Sequence, residues 1–387
     1  MLRDTQGVAP SHVVVPVDFI PVVARFDGRR TCEEIARQAA SELGEKVPVD
    51  VVVRLATELE DAMFVDGPPY RRERERIERA FAEATVRPAS HAGGAYHDDP
   101  AKLAAYIDED CLGAANGAGR KKKDDAPGTL AALVAPHIDP WRGARSYGHA
   151  YAALRKALPK DVDTFVLFGT SHAPMRQPFS ICNKAFATPL GAMEADHASI
   201  ERLAKAAEFD VYADQFNHKR EHSLEFQAVF LRHLLGDRQA RIIPILAGLG
   251  EQQHTGKSPT RYDAIERFFD EVRAIVDEKR AVVIAGADLA HVGPRFGDAK
   301  PLTDRQREIL DVTDRESLDH AERVEPEAFW AHVAKDLDTR RVCGLGPIYS
   351  LLRTMNRDAR GQLTHYEQTV DAEEGSIVSH AAMGFYI

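Results

Sequence analysis

Cysteine is scarce in this chain of 387 residues, and the four present (Cys32, Cys111, Cys182, Cys343) lie far apart with no CxxC pair. That excludes a disulfide framework and a structural zinc knuckle, so any working cysteine acts alone or with histidines. Long apolar runs are missing too. No stretch approaches the roughly 20 residues that cross a bilayer, and the opening MLRDTQGVAPSH lacks the basic-then-apolar pattern of a secretory signal. A cytoplasmic protein with no membrane partner is expected. Nor is there an excess of positive charge. A formal charge of −10 leaves phosphate repulsion unopposed, so no nucleic-acid partner is expected. The basic runs RRERERIER and GRKKKDD are broken by acids or flanked by glycines, which suits a solvated helix face and a surface loop.

What is present fits a globular protein: 44% hydrophobic and 28% charged residues, in a length that predicts one large domain and a smaller one. The smaller falls in residues 1–70. HVVVPVDFIPVVARF has enough apolar alternation for one or two short strands, followed by a DGRR turn. Thr31 and Glu34 form a reciprocal capping pattern before a helix with Ile35, Ala39 and Leu43 on its apolar stripe, ended by Gly44. A second helix runs from about Val49 to Met63. The runs FDGRRTCEEIA and AMFVDG resemble a PqqD-like winged helix. Asp50, Glu58, Glu60 and Asp61 would meet a phosphate-lined groove with negative charge, so docking of a peptide or domain is the better expectation than DNA reading. Residues 71–86 read as a charged connecting helix, and the rest, 87–387, as the large domain with a flexible loop near 113–128.

In the large domain, apolar runs of strand length recur: LAALVA (130–135), TFVLFG (164–169), RIIPILAG (241–248) and AVVIAGA (281–287). Helical stretches separate them, among them LEFQAVFLRHLL and the segment from Asp304 to His320. Near-continuous apolar strands alternating with helices predict an α/β fold, a mostly parallel sheet covered by helices on both faces.

The chemistry gathers at the ends of those runs. His137 follows the first, His172 the second, and Asp288 and His291 the last. Open α/β sheets bind ligands beyond the carboxyl ends of their strands, so three separate strands delivering histidines there point to a site. Asp288 and His291, three apart at the start of a turn, share a face, and the carboxylate there can fix the imidazole tautomer; a capping Asp beside an incidental His is the alternative. Glu221, His222 and Glu225 enter an apolar helix, where acids favour the helix dipole but a Glu–His pair also suits proton transfer. Cys343, ahead of a helix and near Arg340 and Arg341, is expected to ionise more easily than a free thiol, as a metal ligand or nucleophile, with a buried, inert cysteine as the alternative. Cys182 reads as buried and inert. His149, His218, His233, His254 and His380 lack such convergence and read as structural or exposed.

The motifs RPASHAGGAY, VAPHIDP, FGTSH, EHSLEF, IIPILAG, ADLAHVGPRFG and CGLGPI stand in the order seen in the Memo family, which includes AmmeMemoRadiSam system protein B. The resemblance covers residues from Arg87 to Ile387. It implies a fold shared with class III extradiol dioxygenases of the LigB type. It also implies a metal set of His137, His172 and Cys343, with Asp288, His291, Glu221, His222 and Glu225 as catalytic candidates lining the same pocket. The implied metal is iron or copper, with zinc also compatible with such donors. Two departures stand out: IDPWRGARSYG follows His137 where many relatives have a short glycine–tyrosine run, and ADLAH replaces a serine-started version.

Three functions remain open on these grounds. One is a metal-dependent redox enzyme, dioxygenase-like, acting on an unknown small molecule or peptide. Another is a non-catalytic metal- or peptide-binding partner in an AmmeMemoRadiSam-type system. The third is metal-assisted hydrolysis with His291 as base.

Overall fold

The computed structural model describes the chain except for Met1, Arg3, Thr5, residues 115–127, residues 250–254, Asp336 and residues 356–357. Most of the expected loop at 113–128, and His254, therefore lie outside the described residues. The chain divides into two compact units, Met1–Ala84 and Thr85–Ile387.

In the first unit Thr31 accepts from the Glu34 N–H, and Glu34 accepts from the Thr31 N–H, at the head of the helix Cys32–Leu43. Helices Val49–Asp61 and Pro68–Glu83 follow. The last takes in most of the expected connector but starts at Pro68, and it belongs to this unit. Val22, Ile35, Ala36, Ala39 and Val52 form the unit's core. One expectation fails. HVVVPVDFIPVVARF is not strand: Val17–Phe19 forms a 3-10 turn that runs into a helix, Ile20–Val23. Pro16 and Pro21 explain this, because neither has an N–H to give a ladder, and Pro21 sits in a helical first turn where the missing donor costs nothing. Among the described residues the unit's β pairing is the single bridge between Leu2 and Val13, with no hairpin wing.

The second unit is built on a nine-stranded sheet. Its strands are β1 (Leu130–Ala135), β2 (Thr164–Thr170), β3 (Phe179–Ile181), β4 (Glu194–Ala195), β5 (Arg241–Ala247), β6 (Val282–Gly286), β7 (Asp288–Val292), β8 (Arg360–Val370) and β9 (Ile377–Tyr386). They run in the order β8-β9-β1-β6-β2-β5-β3, with β4 beside β5 and β7 beside β9. The central β1, β6, β2 and β5 are parallel, and they are the four apolar runs of the sequence. Helices Pro140–Ala157 and His222–Leu235 pack against one face. The opposite face carries Asp263–Lys279, Pro326–Ala334 and Leu345–Thr354, through Phe268, Phe269, Trp330 and Ile348. This is the α/β architecture expected from the alternation of runs and helices.

The margins differ from the centre. β8 and β9 form an antiparallel hairpin, and β9 pairs antiparallel with β1. β8 is only partly buried, so its sequence RGQLTHYEQTV mixes polar and apolar residues and offers no clean run. Among the described residues no helix is long and apolar enough to cross a membrane.

Candidate metal centre

Because β1 and β2 both run parallel to β6, they deliver the residues after them to the same end of the sheet. His137 follows β1 and His172 follows β2. The helix His222–Leu235 brings its first turn to that end as well. Two glycines allow the approach: a Cβ on Gly169 of β2 would overlap the Ser223 hydroxyl, and one on Gly286 of β6 the Ser223 carbonyl. His222 thus joins the two strand-end histidines. One nitrogen from each of His137, His172 and His222 lies within 4.8 Å of the other two. The His172 and His222 rings stack at 4.6 Å, and His137 meets them edge-on at 5.2 Å and 5.3 Å.

Hydrogen bonds fix which nitrogens are free. The His137 Nδ1 donates to the Gly286 carbonyl at 2.9 Å, so the neutral ring keeps Nε2 as a lone-pair donor. The His172 Nδ1 lies 3.0 Å from the Glu221 carboxylate, which also accepts the His172 backbone N–H at 2.9 Å; Nε2 is again left free. Glu221 further caps its helix by accepting from the Ser223 N–H, and it stands 3.4 Å from the His222 Nδ1. Burial opposes its charge, but His172 and His222 hold Glu221 well below the usual carboxylate range. Burial pushes the His222 imidazole down to about 3 and lowers His137, so both rings stay neutral. Burial would lower His172 too, but the Glu221 charge outweighs it and the shift is upward.

Cys343 adjoins this trio, its Sγ 3.2 Å from the His137 Nε2. The Thr170 hydroxyl donates to the Cys343 carbonyl, tying the end of β2 to the segment before the helix Leu345–Thr354. The expected easy ionisation is overturned. Burial raises the thiol's pKa well above its ordinary value, and the Asp288 charge adds to it. The arginines do not help, because Arg340 pairs with buried Asp314 and Arg341 with Asp298.

Asp288 and His291 also differ from expectation. They lie in β7, not in a helical turn, so a spacing of three does not put them on one face. Asp288 serves His137 instead: Oδ1 accepts the His137 backbone N–H at 2.8 Å, and Oδ2 lies 3.6 Å from its Nε2. The His291 Nδ1 bonds the Leu289 carbonyl at 3.2 Å. His291 remains electrostatically in reach of the centre, since burial lowers its pKa while Asp288 raises it and His137 lowers it further.

Glu225 is buried at the trio's edge. Its carboxylate accepts from the Arg87 guanidinium, the Tyr96 hydroxyl, the Ser90 and His91 backbone N–H groups and the His91 Nδ1. Those contacts place the segment 87–96 against the helix and set the His91 ring 5.6 Å from that of His222. Residue-by-residue reading assigned no role to His91 or to Gln227, which donates to the Pro136 carbonyl just before His137. The four-residue spacing of Glu221 and Glu225 was the available signal, since it puts two carboxylates on one helix face with only one partner yet named. Of the remaining histidines, His218 and His380 are fully buried, and Cys182 is buried with its thiol pushed up to about 11 by burial.

A cavity of about 730 Å³ opens beside the centre, reaching His172 and Cys343 and walled by Met175, Phe209, Leu249 and Tyr262.

These features define a mixed α/β protein with a histidine-rich centre at the ends of parallel strands. The family model for Memo-like protein matches residues 87–384, and the chain belongs to that family. A MEMO1 family protein of Aquifex aeolicus is 24% identical over 388 residues, covering 100% of this chain and 96% of the relative. One from Thermus thermophilus is 27% identical over 353 residues, covering 90% and 97%. A memo-1 homolog of Caenorhabditis elegans is 27% identical over 325 residues, covering 78% and 83%.

Proposed function

We propose that this Memo-family chain is a metal-dependent redox enzyme whose ion is held by His137, His172 and His222, with the Cys343 thiol beside it. The carrying observation is the close approach of the three imidazoles, two with Nε2 freed by hydrogen bonds at Nδ1. Nitrogen donors with an adjacent sulfur suit iron or copper, and zinc by the same donor chemistry. Iron or copper held there would supply one-electron chemistry, whereas zinc would supply only Lewis acidity. The chain's own residues do the rest. Glu221 and the Gly286 carbonyl orient His172 and His137, and Asp288 braces His137 from its backbone. The cavity beside His172 and Cys343 gives a small-molecule substrate room to approach. Cys343, with its Sγ 3.2 Å from the His137 Nε2, would be the further donor beside those imidazoles.

Anaerobic purification with metal analysis tests the reading, repeated for His137→Ala, His172→Ala, His222→Ala and Cys343→Ala. Metal should be lost from the three histidine variants. Unchanged metal content in all of them would remove the centre. Oxygen uptake by the iron-loaded chain against a panel of catechols tests the dioxygenase-like form of the idea, and silence across the panel shifts weight to a metal-binding partner protein.

A further inference from the structure

The helix His222–Leu235 carries two clamps of one design. Glu221 grips His172 by its backbone N–H and its Nδ1, at 2.9 Å and 3.0 Å. One turn later Glu225 grips His91 by its backbone N–H and its Nδ1, again at 2.9 Å and 3.0 Å. The first clamp presents a histidine of the trio. The second presents a histidine outside it, since His91 does not join the set of nitrogens within 4.8 Å.

A carboxylate only accepts, so the His91 Nδ1 donates to Glu225 and Nε2 is the ring nitrogen left to accept. Among the described residues nothing donates to that Nε2. The ring is 25% exposed, and it meets His222 edge-on at 5.6 Å and Phe226 at 5.7 Å. Holding it there requires Glu225 and Arg87 to be buried together, at 1% and 0% side-chain exposure. Burying both charges is costly, and the arrangement fixes one imidazole against the centre.

We propose that His91 is a substrate-contacting residue: its Nε2 accepts a hydrogen bond from a hydroxyl or N–H borne next to the atom by which the substrate meets the metal. The inference rests on the trio being a metal centre, and it narrows the substrate to a protic ligand. Aprotic ligands gain nothing from this nitrogen.

The full chain loaded with Co(II) provides the test, with acetohydroxamate as the protic probe and azide as the aprotic one. Wild type, His91→Phe and His91→Gln should take up Co(II) alike and bind azide alike. Acetohydroxamate should bind about 10-fold more weakly to His91→Phe, the worth of one hydrogen bond, and His91→Gln should recover part of it through its amide oxygen. Equal acetohydroxamate affinity in all three overturns the proposal, as does an equal loss for azide, or a loss of Co(II) from both variants. If wild type itself takes up no Co(II), the metal reading falls and this proposal with it. Co(II) uptake without the selective loss removes the proposal alone.

Discussion

Asp288 holds His137 by its backbone, accepting the N–H at 2.8 Å, while its other oxygen stands 3.6 Å from the ring Nε2. A carboxylate so placed positions the residue without bonding its ring. Asp288→Ala should weaken metal binding by roughly 10–100-fold, the usual cost of removing a partner that orients a ligand. Asp288→Asn keeps an oxygen for the backbone N–H and should lose less. Competition against a chromophoric chelator reads both, and affinities equal to wild type would assign Asp288 to folding alone.

Glu225 gives the chain an acid-sensitive clasp. Burial opposes its charge, but Arg87 and His91 lower its pKa from 4.5 to about 2. A depressed carboxylate contributes stability that is present above its unfolded pKa and is lost as pH falls through the folded value. Glu225→Gln should therefore cost about 3–5 kcal/mol at pH 7, the range for breaking a buried pair, and the gap to wild type should shrink between pH 4.5 and pH 2. Urea unfolding at pH 7 and pH 3 measures it, and a gap that stays constant would mean that the Glu225 carboxyl titrates alike in the folded and unfolded chain.

Gly286 tests how closely the helix must approach the sheet. A methyl group there would strike the Ser223 carbonyl and push back the turn that carries His222. Gly286→Ala should destabilise by about 1–3 kcal/mol, as overpacking does, and should also lower metal affinity. A variant that binds metal normally would show that His222 can give way without cost.

Metal removal should lower the melting temperature of wild type. An ion that binds only the folded chain adds RT ln(1 + [L]/Kd), about 2.7 kcal/mol at 100 times Kd. Chelator should therefore shift wild type in differential scanning calorimetry and leave His137→Ala and His172→Ala unmoved. A matching shift in those variants would place the stabilising ion elsewhere.

The parallel centre of the sheet was legible because β1, β2, β5 and β6 are buried on both faces and read as uninterrupted apolar runs. His137 and His172 were legible for the same reason, since a residue just past such a run must lie at the sheet's end. β8 was hidden by its half-exposed edge position, and the opening segment by prolines that overrode its apolar alternation. Within the site, the error over Asp288 came from assigning helical geometry to a strand, and the error over Cys343 from counting nearby arginines without their partners Asp314 and Asp298. His222 was read for its neighbour Glu221. Its place beside His137 depends on Gly169 and Gly286, a packing fact that local pattern does not carry.

The contact between Cys343 and His137 joins positions 206 residues apart. A chain synthesised from its N-terminus exposes His137 and His172 long before the thiol exists, and bringing such distant segments together is among the slower steps of folding. In the proposed metal reading, acquisition is therefore a late event: an ion captured by the nascent chain would meet an incomplete set of donors, while one arriving after release would find every residue of the centre already in place.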